Sequence, residues 1–154
     1  MKPIIGVLIR YGENKNGTPL EYIFDSTRRA ILKMGGLPLL LCPVQDIDYY
    51  HVKAEDYPDI TALEEQQLNY FLNMCDGLLI PGGDKISPYD FKVLEKALDK
   101  RIPILGICLG MQILANYKLP VFQLSPVENA SFHSQDVKEQ YAHEVIIDKN
   151  SLLL

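Results

Sequence analysis

Cysteine, positive charge and long apolar runs are all scarce in this sequence. Its three cysteines lack the spacing of metal ligands, argue against a disulfide scaffold and suit a reducing compartment. The 15 lysines and arginines are outnumbered by 20 acidic residues and form no block, which argues against a nucleic-acid or anionic-membrane surface. No apolar stretch reaches the length of a membrane span, and the amino terminus lacks a signal peptide's apolar core. We therefore expect a cytoplasmic protein without nucleic-acid or membrane partners.

Short apolar runs alternating with amphipathic segments dominate what is present. Apolar residues make up 47% of the 154 residues, enough for one domain with a substantial core. The alternation is typical of βαβ units and predicts an α/β fold with a doubly wound, mostly parallel sheet. The predicted strands are residues 4–9, 37–42, 77–80 and 102–107, with a weaker one at 143–147. The predicted helices are residues 22–34, one from Thr61, one from Ser87, and 109–117.

Local signals fix several of these boundaries. Thr61 and Glu64 have the spacing of a capping box, and Ser87-Pro88-Asp90 is a second helix start. Residues 10–19 and 45–59 are predicted to be loops. Two sets of side chains are predicted to face the core from the helices: Leu68, Phe71, Leu72 and Cys75 in one helix, and Phe91, Leu94 and Leu98 in the next. Ligands of such sheets bind beyond the carboxyl ends of the strands, so the loops after Ile9, Ile80 and Ile107 are of interest.

The strongest local signal is Gly106-Ile107-Cys108-Leu109-Gly110, between a predicted strand and a helix. This is the cysteine form of a nucleophile elbow, in which glycines two residues away avoid clashes at a sharp turn. Cys108 lies at a helix N-terminus, where the partial positive charge favours a thiolate. The Leu109 N–H is then placed to bind an oxyanion. The alternative is that Cys108 is a buried structural residue between two glycines. For Cys42 and Cys75 we predict a buried structural role in the core.

A second glycine loop follows the strand at 77–80. In Pro81-Gly82-Gly83 the glycines permit close approach of the backbone to a ligand. An N–H of Gly82 or Gly83 would complete an oxyanion hole; a plain turn is the alternative. The phosphate-loop spacing is absent, and no cluster of metal ligands is apparent, so we expect no metal and no cofactor.

These motifs resemble those of a known superfamily. Residues 106–112 (GICLGMQ) are similar to the nucleophile segment of class I glutamine amidotransferases, and residues 76–84 (DGLLIPGGD) to their oxyanion loop. The resemblance implies a flavodoxin-like fold in which Cys108 attacks the γ-carbonyl of a glutamine-like substrate and forms a thioester. It also implies that Leu109 with Gly82 or Gly83 holds the oxyanion, and that Gln112 lines the substrate pocket.

Two further stretches, residues 2–7 and 30–41, resemble the γ-glutamyl-γ-aminobutyrate hydrolase branch of that superfamily. The resemblance implies a small-molecule γ-glutamyl substrate. Two features depart from that branch: Leu109 stands where the branch usually has arginine, and the segment between Gly83 and Asp99 is shorter. Leu109 is the residue found in many synthase-linked glutaminases. Related cysteine proteases and chaperones often have histidine there, which argues against that alternative.

The family's general base, a histidine two residues before a glutamate on a late strand, has no counterpart here. The histidines are His51, His133 and His143, and none matches; His133 is the first candidate for a substitute. We expect a chain that lacks the C-terminal part of the family domain, with an exposed sheet edge that favours a homo-oligomer. The hypotheses are a γ-glutamyl amide hydrolase, an inactive or truncated binding module, and a glutaminase subunit that delivers ammonia to a synthase partner.

Overall fold

The computed structural model describes residues 1–117 and 146–151. Residues 1–117 form one unit, whereas residues 146–151 belong to a second and form a turn in which Ser151 N–H donates to the Asp148 carbonyl at 2.9 Å. The predicted strand at 143–147 lies largely outside the described residues, and Ile146 and Ile147 are not in a strand. The elements of the first unit are β1 (Ile4–Leu8), β2 (Arg10–Glu13), β3 (Pro19–Tyr22), α1 (Asp25–Lys33), β4 (Leu37–Leu41), a 3₁₀ turn (Ala54–Asp56), α2 (Ala62–Asn73), β5 (Gly77–Ile80), α3 (Pro88–Asp99), β6 (Ile104–Gly106) and α4 (Leu109–Asn116).

A four-stranded parallel sheet in the order β4-β1-β5-β6 is the centre of this unit. The chain moves outward from β1 to β4, then crosses back to β5 on the other side of β1, so the topology switches between β1 and β5. This is the doubly wound, flavodoxin-like arrangement, and the predicted fold class is confirmed. Val7 of β1 lies opposite Leu79 of β5. The carboxyl ends of these two strands therefore border the crevice in which such folds bind ligands.

Successive residues of a strand point to opposite sides of the sheet, and helices pack on both sides. On one face, Leu8 of β1 and Ile80 of β5 are fully buried in a core shared with α2, α3 and α4. On the other, Val7 and Leu79 pack with Ile31 of α1. Burial on both faces explains why the strands read as nearly continuous apolar runs.

The helix starts predicted from capping signals are confirmed. At α2 the Glu64 N–H donates to the Thr61 hydroxyl at 3.3 Å, and the Thr61 N–H donates back to the Glu64 carboxylate at 2.7 Å. At α3 the Ser87 N–H donates to the Asp90 carboxylate at 2.8 Å. The predicted inner face of α3 is partly wrong: Leu94 is buried, but Leu98 is 43% exposed. The buried residues of that helix are Tyr89, Asp90, Val93, Leu94 and Ala97.

The prediction of a loop at residues 10–19 is wrong. Strands β2 and β3 form an antiparallel hairpin there, with Tyr11 opposite Glu21. The turn is held by the Asn14 side-chain oxygen, which accepts from the N–H groups of Asn16 and Thr18 at 2.9 Å each. Gly17 takes φ of 74° in this turn, a conformation that glycine adopts without a steric penalty. Arg10, the first residue of β2, has a buried side chain.

Candidate active site

Cys108 occupies the turn between β6 and α4 with φ of 52° and ψ of −110°. A residue with a Cβ rarely adopts this conformation, and it persists only where the surroundings impose it. The side chain is exposed and lies at the N-terminus of α4. This is the geometry of a nucleophile elbow: a strained backbone that presents a thiol to solvent at the carboxyl edge of the sheet.

The two glycines of the elbow are required by close backbone contacts. A Cβ on Gly110 would lie 2.0 Å from the carbonyl oxygen of Ile80, at the end of β5. A Cβ on Gly106 would lie 2.6 Å from the backbone carbonyl of Gly110. Any side chain at either position would therefore push α4 away from the sheet. The sequence-based explanation of these glycines is confirmed, with Ile80 as a partner that the sequence did not indicate.

The glycine loop after β5 lies against the elbow. A Cβ on Gly82 would lie 3.3 Å from Cys108 Cβ and 3.8 Å from its Sγ. In residues 1–117, no protein acceptor is present for the backbone N–H groups of Gly82, Gly83 and Leu109. These donors remain available for a ligand. The elbow and this loop, which are more than 20 residues apart in sequence, thus come together as the sequence predicted.

Arg10 follows β1 and lies beneath the same loop. A Cβ on Gly83 would lie 2.6 Å from Arg10 Cδ and 3.4 Å from Cδ2 of Leu109. The Arg10 guanidinium donates to both carboxylate oxygens of Asp90, at 3.1 and 3.4 Å, and the two side chains are 1% and 0% exposed. Burial raises the pKa of the Asp90 carboxyl, while Arg10 and the Ser87 N–H oppose that shift. Sequence analysis assigned Asp90 only to the helix start and missed Arg10.

His51 is not placed to act as a base. Its Nδ1 lies 2.7 Å from a carboxylate oxygen of Asp48, and its Nε2 lies 2.6 Å from one of Glu13. Hydrogen bonds to these two carboxylates raise the pKa of His51. Both ring nitrogens of His51 are therefore engaged with carboxylate oxygens, and neither is directed to the Cys108 thiol. His133 and His143 lie outside the described residues.

The other cysteines differ from Cys108. Cys75 is half-buried, packs against the core, and its Sγ lies 3.4 Å from the Phe71 carbonyl. Cys42 was predicted to be a core residue, and this is wrong, because it follows the last residue of β4 and is exposed. Burial of part of each residue raises the pKa of both thiols. Neither cysteine has an elbow or an adjacent glycine loop.

A tyrosine-rich segment borders the glycine loop. Tyr11 of β2 stacks on Tyr49 with ring centroids 5.1 Å apart. The Lys85 ammonium donates to the Tyr50 carbonyl and lies 5.4 Å from the centre of the Tyr50 ring. A cleft of about 330 Å³ opens beside these rings, lined by residues of β2, β3 and the segment 46–50. The segment predicted as the loop 45–59 therefore lies next to the residues that follow Gly83.

Gln112 is half-buried on α4, and its N–H donates to the Cys108 carbonyl at 3.2 Å. It therefore lies one turn along the helix from Cys108, and its role in a substrate pocket stays a prediction.

None of the helices in residues 1–117 and 146–151 has the length and apolar character needed to cross a membrane. The same residues contain no group of three or more side chains suited to hold a metal ion.

Comparison with known proteins agrees with this geometry. The family model described as glutamine amidotransferase class-I matches residues 44–148. A glutamine amidotransferase-like protein of Rickettsia prowazekii is 33% identical over 139 residues, 73% of this chain and 42% of that protein. The CTP synthase of Chlamydia caviae is 30% identical over 145 residues, 92% of this chain and 22% of the synthase.

The CTP synthase of Trichlorobacter lovleyi is 37% identical over 90 residues, 56% of this chain and 17% of the synthase. The chain thus spans about two fifths of the Rickettsia protein and about a fifth of these synthases. The family model covers more than half of the chain, including the elbow and the glycine loop. The protein therefore belongs to the glutamine amidotransferase class-I family.

Proposed function

We propose that this protein cleaves γ-glutamyl amides, either glutamine or a γ-glutamyl amine, through a thioester on Cys108. The observation that carries the proposal is the strained, exposed Cys108 beside a glycine loop whose N–H groups have no acceptor within residues 1–117. A thiol at a helix N-terminus is favoured as thiolate. Backbone donors beside the nucleophile would stabilise the negative charge of an acyl-transfer intermediate.

In the proposed reaction, the Cys108 thiolate attacks the γ-carbonyl carbon and a C–S bond forms. The carbonyl electrons move onto oxygen, and the N–H groups of Leu109 and Gly82 or Gly83 stabilise the resulting oxyanion. When the oxyanion collapses, the C–N bond breaks and the amine leaves with a proton. Water then hydrolyses the thioester to release glutamate. Gln112, one turn along α4, contributes to the pocket that holds the substrate.

A proton acceptor and donor is required for both steps, since a thiol at its ordinary pKa is only a few per cent ionised near neutral pH. His51 does not serve, because both of its nitrogens face carboxylates. His133 is our first candidate for this role.

The first test compares the wild-type protein with Cys108→Ala, using glutamine and a chromogenic γ-glutamyl anilide. We expect glutamate release from the wild type and its complete loss in Cys108→Ala. Cys42→Ala is the matched control, because Cys42 is also exposed but lies outside the elbow; it should retain full activity. Equal release from the wild type and Cys108→Ala would contradict the proposal.

The second candidate function is that of a glutaminase that passes ammonia to a synthase. Similarity to CTP synthases and the presence of Leu109 after the proposed nucleophile favour it. Turnover of glutamine but not of bulkier γ-glutamyl anilides would support this candidate over the γ-glutamyl amine hydrolase. Absence of turnover with either substrate would favour the inactive binding module.

A further inference from the structure

We propose that Arg10 is a positioning residue for the oxyanion loop. In this role the aliphatic part of Arg10, fixed by Asp90, holds Gly83 in place so that the backbone N–H groups of the loop stay beside Cys108. This inference rests on the proposed function of that site, but its structural content is independent of turnover.

Gly83 packs closely against the side chain of Arg10. The position of a Cβ on Gly83 would be 2.6 Å from Cδ and 3.1 Å from Cγ of Arg10. The backbone of Gly83 therefore lies directly on the methylene groups of Arg10. The Leu109 side chain is 3.4 Å from the same point. Arg10 thus packs against Gly83, whose N–H group lacks an acceptor among residues 1–117, and Leu109 lies on the same side of Gly83.

The side chain of Arg10 cannot move freely. Its two terminal nitrogens reach the two oxygens of Asp90, an arrangement that fixes the orientation of the guanidinium plane. Asp90 is fixed in turn, because it accepts from the Ser87 N–H at the start of α3. Both side chains are almost completely buried, so water does not compete for these hydrogen bonds.

The sheet topology brings Arg10 next to the oxyanion loop. The oxyanion loop joins β5 to α3, and Arg10 follows β1, the sheet neighbour of β5. The Arg10–Asp90 pair therefore connects the end of one strand to the helix at the far end of the loop. A loop held in this way has its backbone donors set before substrate arrives, which is how oxyanion stabilisation becomes effective.

The test is the variant Arg10→Met/Asp90→Asn, which removes both charges, keeps most of the volume and retains an acceptor for the Ser87 N–H. We expect ¹⁵N order parameters of Gly82 and Gly83 to fall from about 0.85 to below about 0.6. We expect kcat for the γ-glutamyl anilide to fall by about 10- to 100-fold, with KM changed by less than about threefold. The rate of Cys108 alkylation by iodoacetamide, which needs no oxyanion hole, should stay at the wild-type value.

The matched control is Lys96→Met/Glu65→Gln, which removes an ion pair between α3 and α2 away from the loop; it should change none of these quantities. Arg10→Lys keeps the methylene groups and the charge but cannot form the two-nitrogen contact with Asp90. We therefore expect its loop order and kcat to fall together, to values between those of the wild type and the double variant. If the double variant does not fold, Arg10→Lys decides: a large loss of kcat with an ordered loop would overturn the proposal. Unchanged order parameters in a folded double variant would also overturn it.

An inactive wild type would remove the proposed function but not this inference, because the order parameters of the loop are measured without substrate. Conversely, the wild type could be active while the double variant keeps both kcat and loop order. That result would support the proposed function and contradict the positioning role of Arg10. The two failures are therefore distinguishable.

Discussion

Strand β2 supplies charged residues to two different clusters, and the two differ in almost every physical respect. At its first residue, Arg10 forms a buried pair with Asp90, with exposures of 1% and 0%. At its last residue, Glu13 meets His51 and, through it, Asp48, with 31–53% of each side chain exposed. Both clusters tie the segment after β1 to a more distant part of the chain. Of the two, the buried cluster is the one that contacts the glycine loop after β5, through Arg10 and Gly83.

The difference shows what burial does to an ion pair. Two buried charges lose their hydration, so the Arg10–Asp90 pair is tolerable only because both partners and the Ser87 N–H are present together. The exposed cluster is screened by water and salt, so it contributes little to stability and responds to pH. The first is suited to fixing geometry, and the second to a contact that can open.

The largest effect should come from Arg10→Ala, which leaves the Asp90 carboxylate buried without its partner. We expect the free energy of unfolding to fall by about 3–5 kcal/mol, measured by urea denaturation. Adding Asp90→Asn removes the unpaired charge and should recover part of this loss. A single variant as stable as the wild type would show that the pair is not closed to water in solution.

A smaller effect is expected from Gly83→Ala. The added methyl group would meet Arg10 Cδ at 2.6 Å, and Arg10 is held in place, so we expect a loss of about 1–3 kcal/mol. Gly82→Ala is the matched control, because its methyl group would meet Cys108 Cβ at 3.3 Å, a lesser overlap. Equal losses in urea denaturation for the two variants would mean that Arg10 yields easily, contrary to the buried-pair description.

The smallest effect on global stability is expected from His51→Gln, which should leave the urea midpoint unchanged. Its effect is on pH dependence. The raised pKa of His51 means that its contact with Glu13 is fully present below the ordinary histidine pKa and is lost as pH rises through the raised value. The lowered pKa of Asp48 means that its contribution is lost only when pH falls through that lower value.

We therefore expect amide order in residues 45–52 to decrease as the pH rises above the ordinary histidine pKa of about 6.5 and through the raised pKa of His51. The decrease should be absent in His51→Gln, as measured by NMR relaxation. An equal decrease in both proteins would assign the pH dependence to another group.

Sequence reasoning was reliable where the signal was local. The elbow, the Thr61 capping box and the start of α3 each depend on residues within a few positions of one another, and each is confirmed. The hairpin was missed because β2 and β3 have only four residues each, with polar and glycine residues typical of loops. Asn14 and Gly17 carried the turn signal that would have identified it.

The Arg10–Asp90 pair was inaccessible to local reasoning, because its members are 80 residues apart and meet only through the sheet. The errors at Leu98 and Cys42 have a similar origin. An apolar residue at the end of an element is buried only if a neighbouring element reaches that far, and periodicity does not report this. The fold class and the elbow at Cys108 thus follow from local pattern, whereas the Arg10–Asp90 pair follows from topology.

The backbone of Cys108 also has a consequence for selection. At φ of 52° and ψ of −110°, a residue with a side chain costs the folded state about 1–3 kcal/mol, a penalty that glycine would avoid. A laboratory evolution experiment that rewards only heat tolerance should therefore replace this cysteine early. Cysteine would be retained at position 108 only under selection for activity. Such an experiment therefore separates the effect of this residue on stability from its effect on reactivity.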